Sequence, residues 1–112
     1  MLTIKGLKDY GADVDEGLKR CVNNEAFYLK MVEKAAGDLT FGKLISAVEA
    51  GHLDEAFEAA HALKGVCGNL ALTPLYQPIS ELTEFLRGRT QMDYSEIMTV
   101  IKSQKEKLDQ LI

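Results

Sequence analysis

The strongest constraint on the fold is a stripe of apolar residues, Leu53, Ala56, Ala60, Leu63, Cys67 and Leu70, spaced 3-4-3-4-3. That rhythm follows the 3.6-residue turn of an α-helix and places every member on one side of it. A seam this regular needs apolar partners along its whole length, which is the demand of a helical bundle.

The rest of the chain supplies partners of the same kind. Leu75, Ile79, Leu82, Phe85 and Leu86 form a second stripe closed by Gly88, and Tyr94, Ile97, Met98, Ile101, Leu108, Leu111 and Ile112 form a third. Upstream, Phe27, Tyr28, Met31, Ala35, Phe41, Leu44, Ile45 and Val48 form a fourth, whose pattern slips at Gly37–Thr40. Either two helices abut there or one long helix bends; we favour one helix over residues 25–50, kinked at Gly37 and stopped by Gly51. Asn24 is its cap, and Asp13 with Glu16 and Asp93 with Glu96 have capping-box spacing. Val14–Cys21 is a short extra helix that would not be stable alone. Residues 1–12 show little periodicity and read as a lead-in. Thr73-Pro74 resembles a cap followed by Pro at the first helical position. Pro78 removes a backbone bond inside that helix, which leaves two starts open: Thr73, or Gln77 with Thr73–Tyr76 as a turn. The expectation is an all-α fold, a single domain over residues 1–112. Its architecture is an antiparallel up-down-up-down four-helix bundle with a short extra N-terminal helix.

Several function classes fall away. The formal net charge is −4, and no basic face suits nucleic acid. No apolar run approaches a membrane span, and Lys5, Lys8 and Asp9 interrupt any signal-peptide core. Two cysteines without a CxxC pair suit a reduced, cytoplasmic setting. There is no phosphate-binding loop, nucleotide fingerprint or nucleophile elbow, so an ATP-using kinase or other enzyme is not expected.

The seam also decides where His61 points. At 100° per residue His61 lies about 130° from the stripe and is expected to be exposed. Phe57, Lys64 and Gly68 fall within roughly 60° of it, and Gly65 within about 40°. Each glycine costs a helix interior about 1 kcal/mol relative to alanine, so the pair needs a reason. Close approach of a neighbouring helix is one reason. Clearance for another protein is the other, and the direction shared with His61 favours it.

An exposed neutral imidazole is a nucleophile at cellular pH. A phosphoryl group on it adds roughly two negative charges, and a mid-helix position has no helix N-terminus to stabilise them. Lys64, at i+3, is the compensating cation. An exposed charge pair at about 4 Å is worth about 1 kcal/mol, enough to orient a phosphoryl group without trapping it. His52 lies on the opposite side of the helix, about 13 Å away along it, so no metal site is expected. Cys67 and Cys21 read as packing residues.

At these residues the chain resembles the histidine phosphotransfer (HPt) family of phosphorelays. The stretch AHALKGVCGNLAL is similar to that family's H-x-x-K-G signature with its downstream glycine and apolar helix end. The likeness extends over roughly Asp13 to Ile112, and the Ala-Leu-Lys-Gly after His61 differs from the box of dimeric sensor kinases. The resemblance implies a monomeric bundle that shuttles a phosphoryl group between receiver-domain aspartates. Its partners would be response-regulator receivers and a hybrid sensor kinase. The receiver would supply Mg²⁺, so no cofactor or metal belongs to this chain. By position, His61 would be the phosphoacceptor and Lys64 the phosphate partner. Gly65 and Gly68 would be the clearing. Phe57 and the Val14–Cys21 helix, with Leu18, would form the docking surface. Many members carry a glutamine on the next helix facing the histidine. Thr83 stands there in this chain, with Arg87 one turn further on as a substitute. The competing reading is a four-helix adaptor that docks on receivers or kinases and carries no phosphate. A fragment of a larger hybrid kinase is a third reading, and the start at Met1 favours a free-standing carrier over it.

Overall fold

The computed structural model describes Met1–Ile112. It contains seven helices and no strand: α1 (Ile4–Tyr10), α2 (Val14–Arg20), α3 (Glu25–Ala36), α4 (Thr40–Ala50), α5 (Leu53–Asn69), α6 (Thr73–Arg87) and α7 (Ser95–Gln110). The all-α expectation holds. The apolar seam does what its spacing demands: Ala56, Ala60, Leu63, Cys67 and Leu70 are buried and Leu53 partly so. Helix α5 packs most extensively on α6 and α4, α6 packs on α7, and α3 touches α7. One continuous buried cluster takes side chains from every helix.

Capping explains several of the boundaries. The Asp13 carboxylate accepts the Glu16 N–H at 3.3 Å, and the Asn24 side chain accepts that of Phe27 at 3.0 Å. Gly51 ends α4 in the left-handed region at φ 75°, where only glycine is unstrained.

Four expectations are corrected. The lead-in contains α1: the Thr3 hydroxyl caps it by accepting the Gly6 N–H at 2.9 Å. Leu2 and Leu7 are buried, and the Tyr10 hydroxyl donates to the Gln104 carbonyl at 3.0 Å. Seven residues are too few to display a period, so tertiary contacts make this helix.

The segment 25–50 is two helices, not one with a kink. After α3 ends, the Asp38 carboxylate accepts the Thr40 N–H at 2.8 Å and starts α4. Hydrogen bonds from the Thr40 side chain and backbone hold the Asp38 carboxyl below the usual carboxylate range.

Helix α6 runs unbroken through Pro78, which excludes a start at Gln77. The bond lost is the one Pro78 would have made to the carbonyl of Pro74, inside the first turns where few bonds precede it. Thr73 is the first helical residue and not the cap, which is Leu72. Finally, the Asp93 carboxylate accepts the N–H of Ser95 at 2.9 Å, with Tyr94 in the cap position and no return bond from Glu96.

Candidate functional site

The site is built on the flank of α5 that the seam leaves free. His61 is exposed there, and none of the side-chain hydrogen bonds involves its imidazole. Its ring stacks on Phe57, one turn earlier, with centroids 5.7 Å apart and planes inclined by 18°. Lys64 is half-buried and enters no ion pair, so its ammonium is uncommitted.

His61, Lys64, Gly65 and Gly68 open onto one cavity of about 530 Å³. The opposite walls come from α2, through Asp13, Glu16 and Arg20, and from α6, through Thr73 and Tyr76. Helix α2 is held in place by its neighbours. Asp13 donates its N–H to the Ala71 carbonyl at 2.9 Å, and the Arg20 guanidinium reaches Glu16 at 3.2 Å and Asn69 at 3.3 Å. Gly17 lies so close to Tyr28 that an added Cβ would meet the ring at 2.6 Å. The Tyr28 hydroxyl donates to the Leu70 carbonyl at 2.8 Å, and burial pushes that phenol up to about 12. The wall facing His61 is therefore fastened to the α5–α6 turn at several points.

The two glycines of α5 part company. A Cβ at Gly65 would meet nothing within 4 Å, so this residue leaves open space in front of the cavity. A Cβ at Gly68 would lie 3.0 Å from Cε1 and 3.3 Å from Cδ1 of Tyr76. Of the two reasons weighed in the sequence, close approach of α6 accounts for Gly68, whereas Gly65 borders open space.

Thr83 does not reach the histidine. It is fully buried, and its hydroxyl donates to the Ile79 carbonyl at 2.7 Å, the back-bond that a buried helical threonine makes. Arg87 pairs with Glu84 at 3.3 Å, and its guanidinium carbon lies 5.1 Å over the Phe57 ring. Its side-chain hydrogen bond goes to Glu84 and not to His61. Leu18 packs against the core, partly exposed, and does not line the cavity. His52 faces Glu55 at 3.8 Å, away from the site.

Sequence reasoning missed Arg20, Tyr76 and Arg89. Arg20 lies at i+4 from Glu16, a spacing that allows an ion pair but does not say that it sits beside α5. Tyr76 sat in the segment left open as a turn. Arg89 lies just past Gly88, where the second stripe closes, yet its guanidinium carbon lies 4.9 Å over Phe57.

Compared with known proteins, the chain matches the family model described as the Hpt domain over residues 29–111. No curated protein and no solved structure gives a significant match. The matched span covers α4 to α7 and most of α3, and with it the whole α5 flank that carries His61. With that span and an all-helical fold around an exposed histidine, the chain belongs to the Hpt domain family.

Proposed function

We propose that this chain is a phosphorelay carrier that takes a phosphoryl group onto His61 from a receiver-domain aspartate and passes it to another receiver. Family membership supports histidine phosphotransfer in a phosphorelay. The observation that carries the residue assignment is the shared cavity of His61 and Lys64, with open space at Gly65. An aspartyl phosphate on a docked receiver would meet the imidazole there. The ring nitrogen's lone pair forms an N–P bond as the acyl phosphate's O–P bond breaks, and the receiver carboxylate leaves with that electron pair. Return transfer is the same step reversed. Lys64 offsets charge on the transferring group, in a position no helix terminus reaches.

Docking falls to surface beside the cavity, Phe57 on α5 and the exposed side of α2 with Leu18, in a chain acting as a monomer. No helix is long and apolar enough to cross a membrane, and the proposed setting is the cytoplasm, where receivers work.

The test is incubation with a phosphorylated receiver. Acid-labile, base-stable label is expected on the wild type and none on His61→Gln. Persistent label on that variant refutes the residue assignment. A wild type that binds receivers without ever taking label is instead the phosphate-free adaptor.

A further inference from the structure

The imidazole of His61 has no hydrogen bond to fix its direction, and the Thr83 hydroxyl, the partner the sequence suggested, is committed to Ile79. What the ring does have is a stacked neighbour. Phe57 lies one turn before it, at the i−4 position, where helical side chains meet.

Phe57 is in turn held from the end of α6. The guanidinium of Arg89 lies over its ring at 4.9 Å, and that of Arg87 at 5.1 Å. Arg89 is the better anchored of the two. Its Nε donates to the Asp54 carboxylate at 2.5 Å, and its Nη1 donates to the carbonyls of Leu86 at 2.6 Å and Arg87 at 3.3 Å. The planar fork of arginine suits several such bonds at once, whereas Arg87 pairs only with Glu84 on its own helix. The backbone at Arg89 adopts φ 51°, a left-handed conformation uncommon outside glycine and asparagine. Asp54, Phe57 and His61 follow at i, i+3 and i+7 along α5, so Arg89 spans the first two and the ring carries the contact to the third.

We propose that Arg89 is a positioning residue for the phosphoacceptor: it fixes Phe57 as a platform on which the His61 imidazole is oriented for in-line attack. The proposal rests on His61 being the phosphoacceptor. Orientation of this kind acts on the rate of the transfer step once the receiver is bound, separately from the part Phe57 plays in docking.

The test combines single-turnover transfer from a phosphorylated receiver with NMR of the His61 ring protons. Variants are Arg89→Gly, which relieves the left-handed backbone, Asp54→Asn, which removes only the carboxylate anchor, Phe57→Leu, and Arg89→Gly with Phe57→Leu. Arg89→Gly is expected to slow the saturating rate by about two- to fivefold, the factor one exposed cation–π contact carries. The saturating rate isolates this effect, because the half-saturating receiver concentration reports the separate part Phe57 plays in docking. Asp54→Asn shifts the rate in the same direction by less, and the double variant is no slower than Phe57→Leu. The His61 ring signals, displaced by the stacked ring in the wild type, move towards those of free histidine in Arg89→Gly and Phe57→Leu. A wild-type saturating rate in Arg89→Gly, unmoved His61 signals, or losses that multiply in the double variant overturn the proposal. If the wild type takes no label, the carrier reading fails by itself, while the ring signals still decide whether Arg89 holds the stack.

Discussion

The two glycines beside His61 make opposite predictions from one substitution. In a helix interior, alanine is favoured over glycine by about 1 kcal/mol. At Gly65 the new methyl meets nothing within 4 Å, so the full gain should appear. With an unfolding entropy of about 2.1 cal/mol/K per residue, a gain of about 1 kcal/mol in this 112-residue chain raises Tm by about 4 °C. At Gly68 the same methyl lies 3.0 Å from Tyr76, tighter than an ordinary contact. The ring must shift or the helices must part, a cost of about 1–3 kcal/mol that cancels or reverses the gain.

Denaturant unfolding with a constant m-value measures both. Gly65→Ala should raise the midpoint, and Gly68→Ala should leave it unchanged or lower it. In a Tyr76→Leu background Gly68→Ala should recover the gain. Transfer separates the pair a second way. Gly65→Leu, filling the open space before His61, should slow phosphotransfer by about tenfold or more through clash with the receiver, without loss of stability. If Gly65→Ala destabilises, the space at Gly65 is not free. If Gly68→Ala stabilises as much as Gly65→Ala, Tyr76 is not the reason for Gly68.

Gly17→Ala should cost about 1–3 kcal/mol by overpacking, because Tyr28 is fully buried and tied by its hydroxyl to Leu70. Thermal unfolding measures it. The Asp38 carboxyl sits below its usual range in the fold, so its contribution is present at neutral pH and is lost as pH falls through the folded value. Asp38→Asn should therefore flatten the acid limb of midpoint against pH below about pH 4. Burial pushes the Cys67 thiol up to about 12, so alkylation at neutral pH should be slow in the native protein and fast once it is unfolded.

How much of this was legible beforehand follows the length scale of each feature. The α5 seam repeats often enough to average to one direction, and that direction placed His61 outside the core with Lys64 and Gly65 beside it. Asp13, Asn24 and Gly51 announced themselves because capping is local chemistry. Helix α1 was not legible, being made by Leu7 burying and by a hydrogen bond to Gln104, which lies 94 positions away. The break at Asp38 was concealed by apolar residues that continue on both sides of it. Thr83 was misplaced because position along a helix says which neighbour is close, not what a hydroxyl bonds. Once buried, it shares the carbonyl one turn back that the helix already uses.

The same angular split makes stability and transfer separable by mutation. Leu63 is fully buried on the seam side of α5, while His61 stands exposed on the opposite flank. Leu63→Ala should cost about 2–5 kcal/mol through lost burial and a residual cavity. While the protein remains mostly folded, the label taken per folded molecule should be unchanged. His61→Gln should change stability by about 0.5 kcal/mol or less, as surface substitutions do, and abolish label. The two effects should not couple, because neither side chain shares a partner with the other across the helix. Loss of transfer per folded molecule in Leu63→Ala would mean that the seam sets the geometry of the flank. The rigid α5 scaffold would then be part of the phosphoacceptor, and not merely its support.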